Sequence, residues 1–424
     1  MKIKKPIFKS KNRPPIRVVI VGGGFGGIKT ALELGRRPEF QITLISKTDY
    51  FLYYPSLYST ATGHSVRESQ VALSRIFQNR PISLVKDEVT ALDAVRKLIH
   101  GKNGKTYHYD VLVMAMGSVT TYFGVNGLSR YAYGMKSIKQ VRQLKKHLHQ
   151  ELTLDNHLDK NYVVIGAGPS GVELAGSLVG YLDWLKKVHG LKNCRVKISL
   201  VESAPRVLPK LSRRASRRAL KRLRSLGIHV MLNQRVNEAS SDQVIINGRP
   251  LKSHTVIWTS GVANHPLYKK YPETFQLNGG GKVAVDEYLR AAPHIYVIGD
   301  NAATVYSGLA QTALHDAIFL ADHLKRLAAS QPLRPYRAVK PPTVVPIGPN
   351  WALMEWGWLV MSGRLAALVR RLADFIGYDD VLPIGQALGV WRSSFKREEN
   401  CPVCLRAIVG ARATVNLTRS KTTG

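Results

Sequence analysis

Cysteine is scarce: Cys194, Cys401 and Cys404 are the three in 424 residues. Three thiols cannot build a disulfide framework for a chain this long, so the composition points to a reducing compartment, on the cytoplasmic side. Long apolar runs are missing too. No stretch reaches the roughly 18 uncharged apolar residues that a membrane-spanning helix requires. The N-terminus carries Lys2, Lys4, Lys5, Lys9, Lys11, Arg13 and Arg17 without the apolar core of a signal peptide, and residues 1–16 read as a basic arm. Acidic residues are few: 28 Asp and Glu stand against 62 Lys and Arg, a formal charge of +34. Such an excess favours an anionic partner. The basic segment from Arg206 to Arg224 comes with no recognised nucleic-acid motif, so no specific nucleic acid is expected. With 45% hydrophobic residues the chain is too apolar to be disordered and long enough for more than one domain.

What is present is glycine in two patterned loops. Arg17 to Val21 is a β-branched run ending in Gly22-Gly23-Gly24-Phe25-Gly26-Gly27, and a helical pattern follows from Ile28. Gly22, Gly24 and Gly27 have the G-x-G-x-x-G spacing. The first glycine makes the turn, the second admits a pyrophosphate against the backbone, and the third lets helix pack on strand. The arrangement recurs: a strand at Tyr162 to Ile165 precedes Gly166-Ala167-Gly168-Pro169-Ser170-Gly171, and a helix follows from Val172. Two such loops in strand-turn-helix context imply two bound dinucleotides. Strands at Val256 to Ser260 and Ile295 to Ile298 are expected to return the chain to the first sheet.

An acidic residue at the end of the next strand binds a ribose diol and repels a 2′-phosphate, and in the second unit Glu202 stands there. That favours NADH over NADPH, although Arg206, Arg213, Arg214, Arg217 and Arg218 lie near in sequence and would suit the phosphate, or form a solvated helix face. In the first unit Ser46-Lys47 replaces the acid. Asp300, after a strand and a glycine, suits ribityl or ribose hydroxyls, or caps the helix that follows.

These residues resemble the type II NADH:quinone oxidoreductases, flavoproteins with two dinucleotide-binding units. The likeness runs from about Arg17 to Leu327. It rests on both glycine loops, on Phe51 to Tyr58 with Ala61-Thr62-Gly63, on Ala115-Met116-Gly117-Ser118, on Trp258 to Val262, on Tyr296 to Asp300, and on Ala310-Gln311. The resemblance implies an α/β fold of two Rossmann-like domains, an FAD domain (17–125 and 275–330) into which an NADH domain (126–274) is inserted. It implies that Gly22, Gly24, Phe25, Gly27, Ser46, Lys47, Ala115, Gly117, Asp300 and Gln311 hold FAD. Gly166, Gly168, Pro169, Ser170, Gly171, Glu173, Glu202 and Gly261 then hold NADH. Glu173 relays protons or orients the nicotinamide, or is simply an acid favoured in a first helical turn. Gln311 lies where ubiquinone or menaquinone arrives. His315 replaces the glutamine usual four residues later, and either meets the quinone or sits satisfied in the core. The absence of a cysteine pair after the first loop argues against a disulfide reductase, and the cysteine-free interval from Cys194 to Cys401 against a sulfide:quinone oxidoreductase. A reductase serving a soluble protein such as a ferredoxin stays open.

Residues 331–424 read as a C-terminal membrane-associating region beginning in a Pro-rich linker, Pro332 to Pro349. Trp351, Met354, Trp358, Met361, Leu365, Leu368 and Leu372 follow a 3,4 spacing that lines one face of a helix, with Arg364, Arg370, Arg371 and Asp374 projecting elsewhere. That pattern suits an amphipathic helix on an anionic membrane surface, a homodimer seam, or packing on the protein itself. Cys401-Pro402-Val403-Cys404 is a lone C-x-x-C with no nearby histidine in sequence, so no metal site is expected.

Overall fold

The computed structural model describes residues 14–153 and 159–409, so most of the basic arm lies outside the described residues. The helices that matter below are α1 (Phe25–Leu34), α2 (Ile138–Thr153), α3 (Pro169–Val188), α4 (Arg213–Ser225), α5 (Ala310–Ala328) and α6 (Arg364–Asp379).

Two sheets organise the chain. The first has six strands, in the order Arg290–Ala292, Ile295–Val297, Val111–Met114, Ile16–Val21, Phe40–Ser46 and Ile82–Lys86. All its pairings are parallel except that of Arg290–Ala292 at the edge. The second has five parallel strands, Ala132–Gly134, Thr255–Trp258, Asp159–Ile165, Arg195–Val201 and His229–Met231. The central strands are covered on both faces, which is why they read as unbroken apolar runs rather than alternating ones. Val18, Ile20, Leu112, Val113, Val163, Val164 and Ile257 are essentially inaccessible, and each such side chain contributes about 1.5–3 kcal/mol of burial. One strand expectation is corrected. Ile295–Val297 does join the first sheet beside Val111–Met114, but Thr255–Trp258 belongs to the second, paired with Ala132–Gly134 and Asp159–Ile165.

The C-terminal region differs most from expectation. Thr343–Pro346, Ala352–Trp356 and Leu359–Gly363 form a three-stranded antiparallel sheet, so Trp351 to Met361 do not lie on a helix and the Pro-rich stretch contains a strand. Gly357 and Gly363 take positive φ (57° and 107°) at the turn and at the start of α6, conformations that a continuous helix does not contain. Only Leu365, Leu368 and Leu372 of the stripe are helical. This sheet docks on α3, where a Cβ at Gly176 would come within 2.5 Å of the Gly348 nitrogen. The arginines of α4 are partly enlisted: Arg218 and Arg222 donate to the carbonyls of Val360 (2.6 Å) and Ile347 (3.2 Å). No helix among the described residues is long and apolar enough to cross a membrane.

Candidate active site

Each glycine loop is shaped as its spacing requires, and the two are near copies. Gly22 has φ +120°, and a Cβ there would meet the Ala115 oxygen at 2.1 Å. Gly27 would strike the Gly22 oxygen at 1.9 Å, whereas nothing lies within 4 Å of a Cβ at Gly24. In the second loop Gly166 has φ +103°, Gly171 would meet the Gly166 oxygen at 1.8 Å, and Gly168 again faces open space. The open glycine in each loop is the helix N-cap, with no side chain satisfying the first-turn amides of α1 or α3. Free amides at the positive end of a helix dipole, beside a space kept clear of side chains, fit a pyrophosphate. Pro169 at the first turn of α3 gives up no amide that the helix would have used.

Glu202 directly follows the strand Arg195–Val201 and turns back on the second loop. Its carboxylate accepts from the backbone amides of Ala167 (2.6 Å) and Ala204 (2.8 Å), which fixes it beside the turn. Arg206, proposed above for a 2′-phosphate, instead donates to the carbonyls of Leu211 (2.6 Å) and Pro209. In the first unit Ser46 is buried against Gly23, and Lys47 reaches out to Glu88 at 2.8 Å.

A cavity of about 230 Å³ joins the two units. Gly24, Phe25, Ala115, Gly117 and Asp300 line it from the first sheet's side, and Ser170 and Glu173 from the second. Asp300 accepts from Ser118 at 2.7 Å, and Lys136 donates to that same hydroxyl at 3.0 Å. The Asp300 turn is pinned by a residue that sequence reasoning passed over: Asp316, buried on α5, accepts from the Gly299 amide (2.9 Å) and from Tyr336 (2.7 Å). Gly261 is more structural than expected, because a Cβ there would lie 1.9 Å from the Thr121 oxygen. Gln311, at the start of α5, is exposed, and neither it nor His315 lines the cavity. The His315 Nε2 sits 3.0 Å from the Arg337 oxygen, with its ring against Tyr336, a backbone partner of the kind a satisfied histidine would have.

Beyond Tyr58 lies a second cavity of about 350 Å³, and Tyr58 walls both. Here α6 supplies residues that periodicity had placed off the apolar stripe. Arg370, its side chain 13% exposed, stands 3.7 Å from the Glu173 carboxylate and 3.0 Å from Asp374. It also donates to the carbonyls of Pro55 (2.7 Å) and Val344 (3.1 Å), while Tyr53 donates to Asp374 at 3.0 Å. Burial pushes the Glu173 carboxyl up to about 8, against the pull of Arg370 and aided by repulsion from Asp374. Glu68, fully buried nearby, is held well above the usual carboxylate range by the same desolvation. Only the fold brings these segments together, and no spacing in the sequence signalled it.

The C-x-x-C has no histidine near it in sequence, but the fold brings His149 and His189 to Cys401 and Cys404.

The profile of the pyridine nucleotide-disulphide oxidoreductase family matches residues 16–317. The chain is 29% identical over 394 residues to the type II NADH:quinone oxidoreductase Ndh of Mycobacterium tuberculosis, covering 85% of each chain. It is 25% identical over 381 residues to the type II NADH:quinone oxidoreductase of Staphylococcus saprophyticus, covering 84% of this chain and 94% of the relative. Among solved structures, NDH2 from Plasmodium falciparum in complex with NADH superimposes with a TM-score of 0.81 at 19% identity, over 90% of this chain and 98% of that one.

Proposed function

The chain belongs to the pyridine nucleotide-disulphide oxidoreductase family, and from that premise we propose that it is an FAD-dependent NADH:quinone oxidoreductase that passes electrons to a quinone without pumping protons. The observation that carries this reading is the cavity shared by both glycine loops, with Asp300 on one side and Glu173 on the other. The two bacterial relatives carry the same activity in their names.

FAD, when bound, supplies the carrier that accepts hydride and hands electrons on. The residues suited to hold it are Gly22, Gly24, Phe25 and Gly27 at the pyrophosphate, Ser46 and Lys47 toward the ribose, Ala115 and Gly117 along the strand end, and Asp300 at hydroxyls. For NADH, the loop of Gly166, Gly168, Pro169, Ser170 and Gly171 takes the pyrophosphate, with the first-turn amides of Ser170 and Gly171 as donors, and Glu202 takes the ribose diol. Gly261 keeps the neighbouring backbone close. Glu173, protonated at neutral pH, orients the nicotinamide or donates a proton toward the quinone side. Gln311 serves at the rim, and His315 is given no role.

The second cavity, separated by Tyr58 and flanked by Arg370, is our assignment for the quinone. It adjoins an exposed apolar face in which Trp356, Trp358, Leu365, Leu368, Leu372 and Ile376 are each at least half exposed, with Arg364 and Arg371 beside them. Such a face, on a chain of charge +34, suits the anionic cytoplasmic surface of a membrane that stores lipid quinone.

An anaerobic visible spectrum tests the proposal. Flavin bands that bleach with NADH and return with a short-chain ubiquinone or menaquinone analogue are expected. A flavin that bleaches but ignores both quinones redirects the acceptor to a protein such as a ferredoxin, and a preparation that binds no flavin ends the proposal.

A further inference from the structure

Outside the residues assigned to dinucleotides and quinone, one cluster among the described residues has the chemistry of a metal centre. His149 lies near the end of α2, His189 follows α3 as its C-cap residue, and Cys401 and Cys404 come from the C-terminal segment. One ligating atom from each lies within 4.8 Å of the others. The His189 Nε2 is 3.3 Å from the Cys404 sulfur and 3.8 Å from that of Cys401. The His149 Nε2 is 3.5 Å from Cys404. Tetrahedral zinc, with Zn–S of about 2.3 Å and Zn–N of about 2.0–2.1 Å, requires sulfur and nitrogen ligands about 3.6 Å apart. The observed separations bracket that value.

We propose that His149, His189, Cys401 and Cys404 form a tetrahedral zinc site that fastens the C-terminal segment to the dinucleotide fold. Two thiolates with two imidazoles are a donor set that zinc favours over magnesium or calcium. The rings of His149 and His189 meet edge to face, 5.2 Å apart at 78°, so their Nε2 atoms converge instead of stacking. The outer shell is present as well. The Thr153 hydroxyl donates to the His149 carbonyl at 2.8 Å, which leaves its lone pair facing the His149 Nδ1 at 3.4 Å. A ligating histidine is held in its tautomer by such an acceptor. Cys404 is fully buried, and a bound cation would balance the charge of its thiolate there.

The consequence is mechanical. The segment that ends at these cysteines runs past residues 63–66 and α3, where the Ser394 oxygen meets the His64 Nδ1 at 2.7 Å, Glu398 donates its amide to the Gly63 oxygen at 2.9 Å, and Glu399 accepts from Tyr181 at 2.8 Å. It contributes Phe395 and Arg397 to the wall of the second cavity. A metal at its end would hold that wall to α2 and α3 with bonds stronger than these contacts.

The test is metal analysis of the full chain, purified without chelator. One equivalent of zinc per chain is expected. Cobalt exchanged into the same protein should give visible bands of tetrahedral geometry and a thiolate charge-transfer band. Cys404→Ser and His149→Ala should each lower zinc about tenfold or more, while Cys194→Ser should leave it unchanged. Should those variants not fold, thiol labelling of the wild type decides: two of three cysteines should be protected until a strong chelator is added. Zinc below a tenth of an equivalent after zinc is offered, an octahedral cobalt spectrum, or zinc retained in full by Cys404→Ser would each overturn the site. Iron or copper in stoichiometric amount instead would overturn the zinc assignment.

Discussion

Arg370, on the C-terminal helix α6, stands 3.7 Å from Glu173, on the first turns of the helix that follows the second glycine loop. A segment whose apolar stripe pointed outward thus also reaches inward, to an acid walling the cavity between the dinucleotide units. Replacing Arg370 with Met leaves Asp374, 3.0 Å from the guanidinium in the parent chain, without its cation. Losing one partner of a buried pair costs about 3–5 kcal/mol. The expected result is a melting temperature several degrees lower, partly restored in Arg370→Met/Asp374→Leu because the second change removes the stranded charge. Strictly additive effects of the two substitutions would show that the pair is not coupled.

Gly24 and Gly168 separate folding from binding. Both have extended backbone that alanine adopts, and both face open space, so Gly24→Ala and Gly168→Ala should fold at a cost of no more than about 1 kcal/mol. A methyl there stands where a pyrophosphate approaches. Gly24→Ala should lose FAD about tenfold, or about 1.4 kcal/mol of affinity. Gly168→Ala should keep FAD and raise the KM for NADH by about the same factor. Gly27→Ala, which puts a methyl 1.9 Å from the Gly22 oxygen, should fail to fold.

Glu202 holds two backbone amides as well as facing the ribose position, so Glu202→Gln, which keeps one acceptor oxygen, is the informative change. It should lower the preference for NADH over NADPH in kcat/KM about tenfold by removing the charge that repels a 2′-phosphate. Steady-state kinetics with both coenzymes checks this, and an unchanged ratio would remove Glu202 from the coenzyme site.

The shape of the glycine loops and the place of Glu202 beside the second were legible because strand, turn, helix and next strand form one local unit, where spacing fixes geometry. Arg370, Asp374, Tyr58 and Asp316 were not, because each acquires its role from a segment far away in the chain. The stripe from Trp351 to Leu372 misled for a different reason. Two turns at Gly357 and Gly363 let strand residues fall by chance on a helical spacing, and those glycines in an apolar run were turn signals that outweighed the period. The histidines facing Cys401 and Cys404 come from two other helices, so no spacing rule applied to one segment could collect them.

The exposed leucines of α6 make the membrane assignment testable. Leu365→Gln/Leu368→Gln/Leu372→Gln changes side chains that are 69%, 53% and 51% exposed, so folding and reduction by NADH should be unaffected. Co-sedimentation with anionic vesicles should fall about tenfold, and binding of the parent chain should weaken with salt, since each basic residue near the surface contributes about 1 kcal/mol. Activity with a short-chain quinone should persist. Unchanged vesicle binding, together with a shift from dimer to monomer on sedimentation, would show that the face is a dimer seam.

Glu173 gives the pH dependence its sign. Its carboxyl is pushed up to about 8 by burial, with Arg370 opposing and Asp374 reinforcing, so it is protonated at neutral pH and ionises as the medium becomes alkaline. If the protonated form serves the reaction, by donating toward the acceptor or by leaving the nicotinamide site uncharged, then kcat with quinone should be level below that value and fall as pH rises through it. Glu173→Gln mimics the protonated shape without a transferable proton. If the role is orientation, the variant should keep most of the activity and lose the alkaline decline. If the role is proton donation, kcat should drop about 10²- to 10⁴-fold while NADH reduction of the flavin is spared. Stopped-flow measurement of the two half reactions across pH distinguishes these outcomes. A variant with both the parental rate and the parental alkaline limb would show that another group titrates, and the buried Glu68 beside Thr60 would be the next acid to replace.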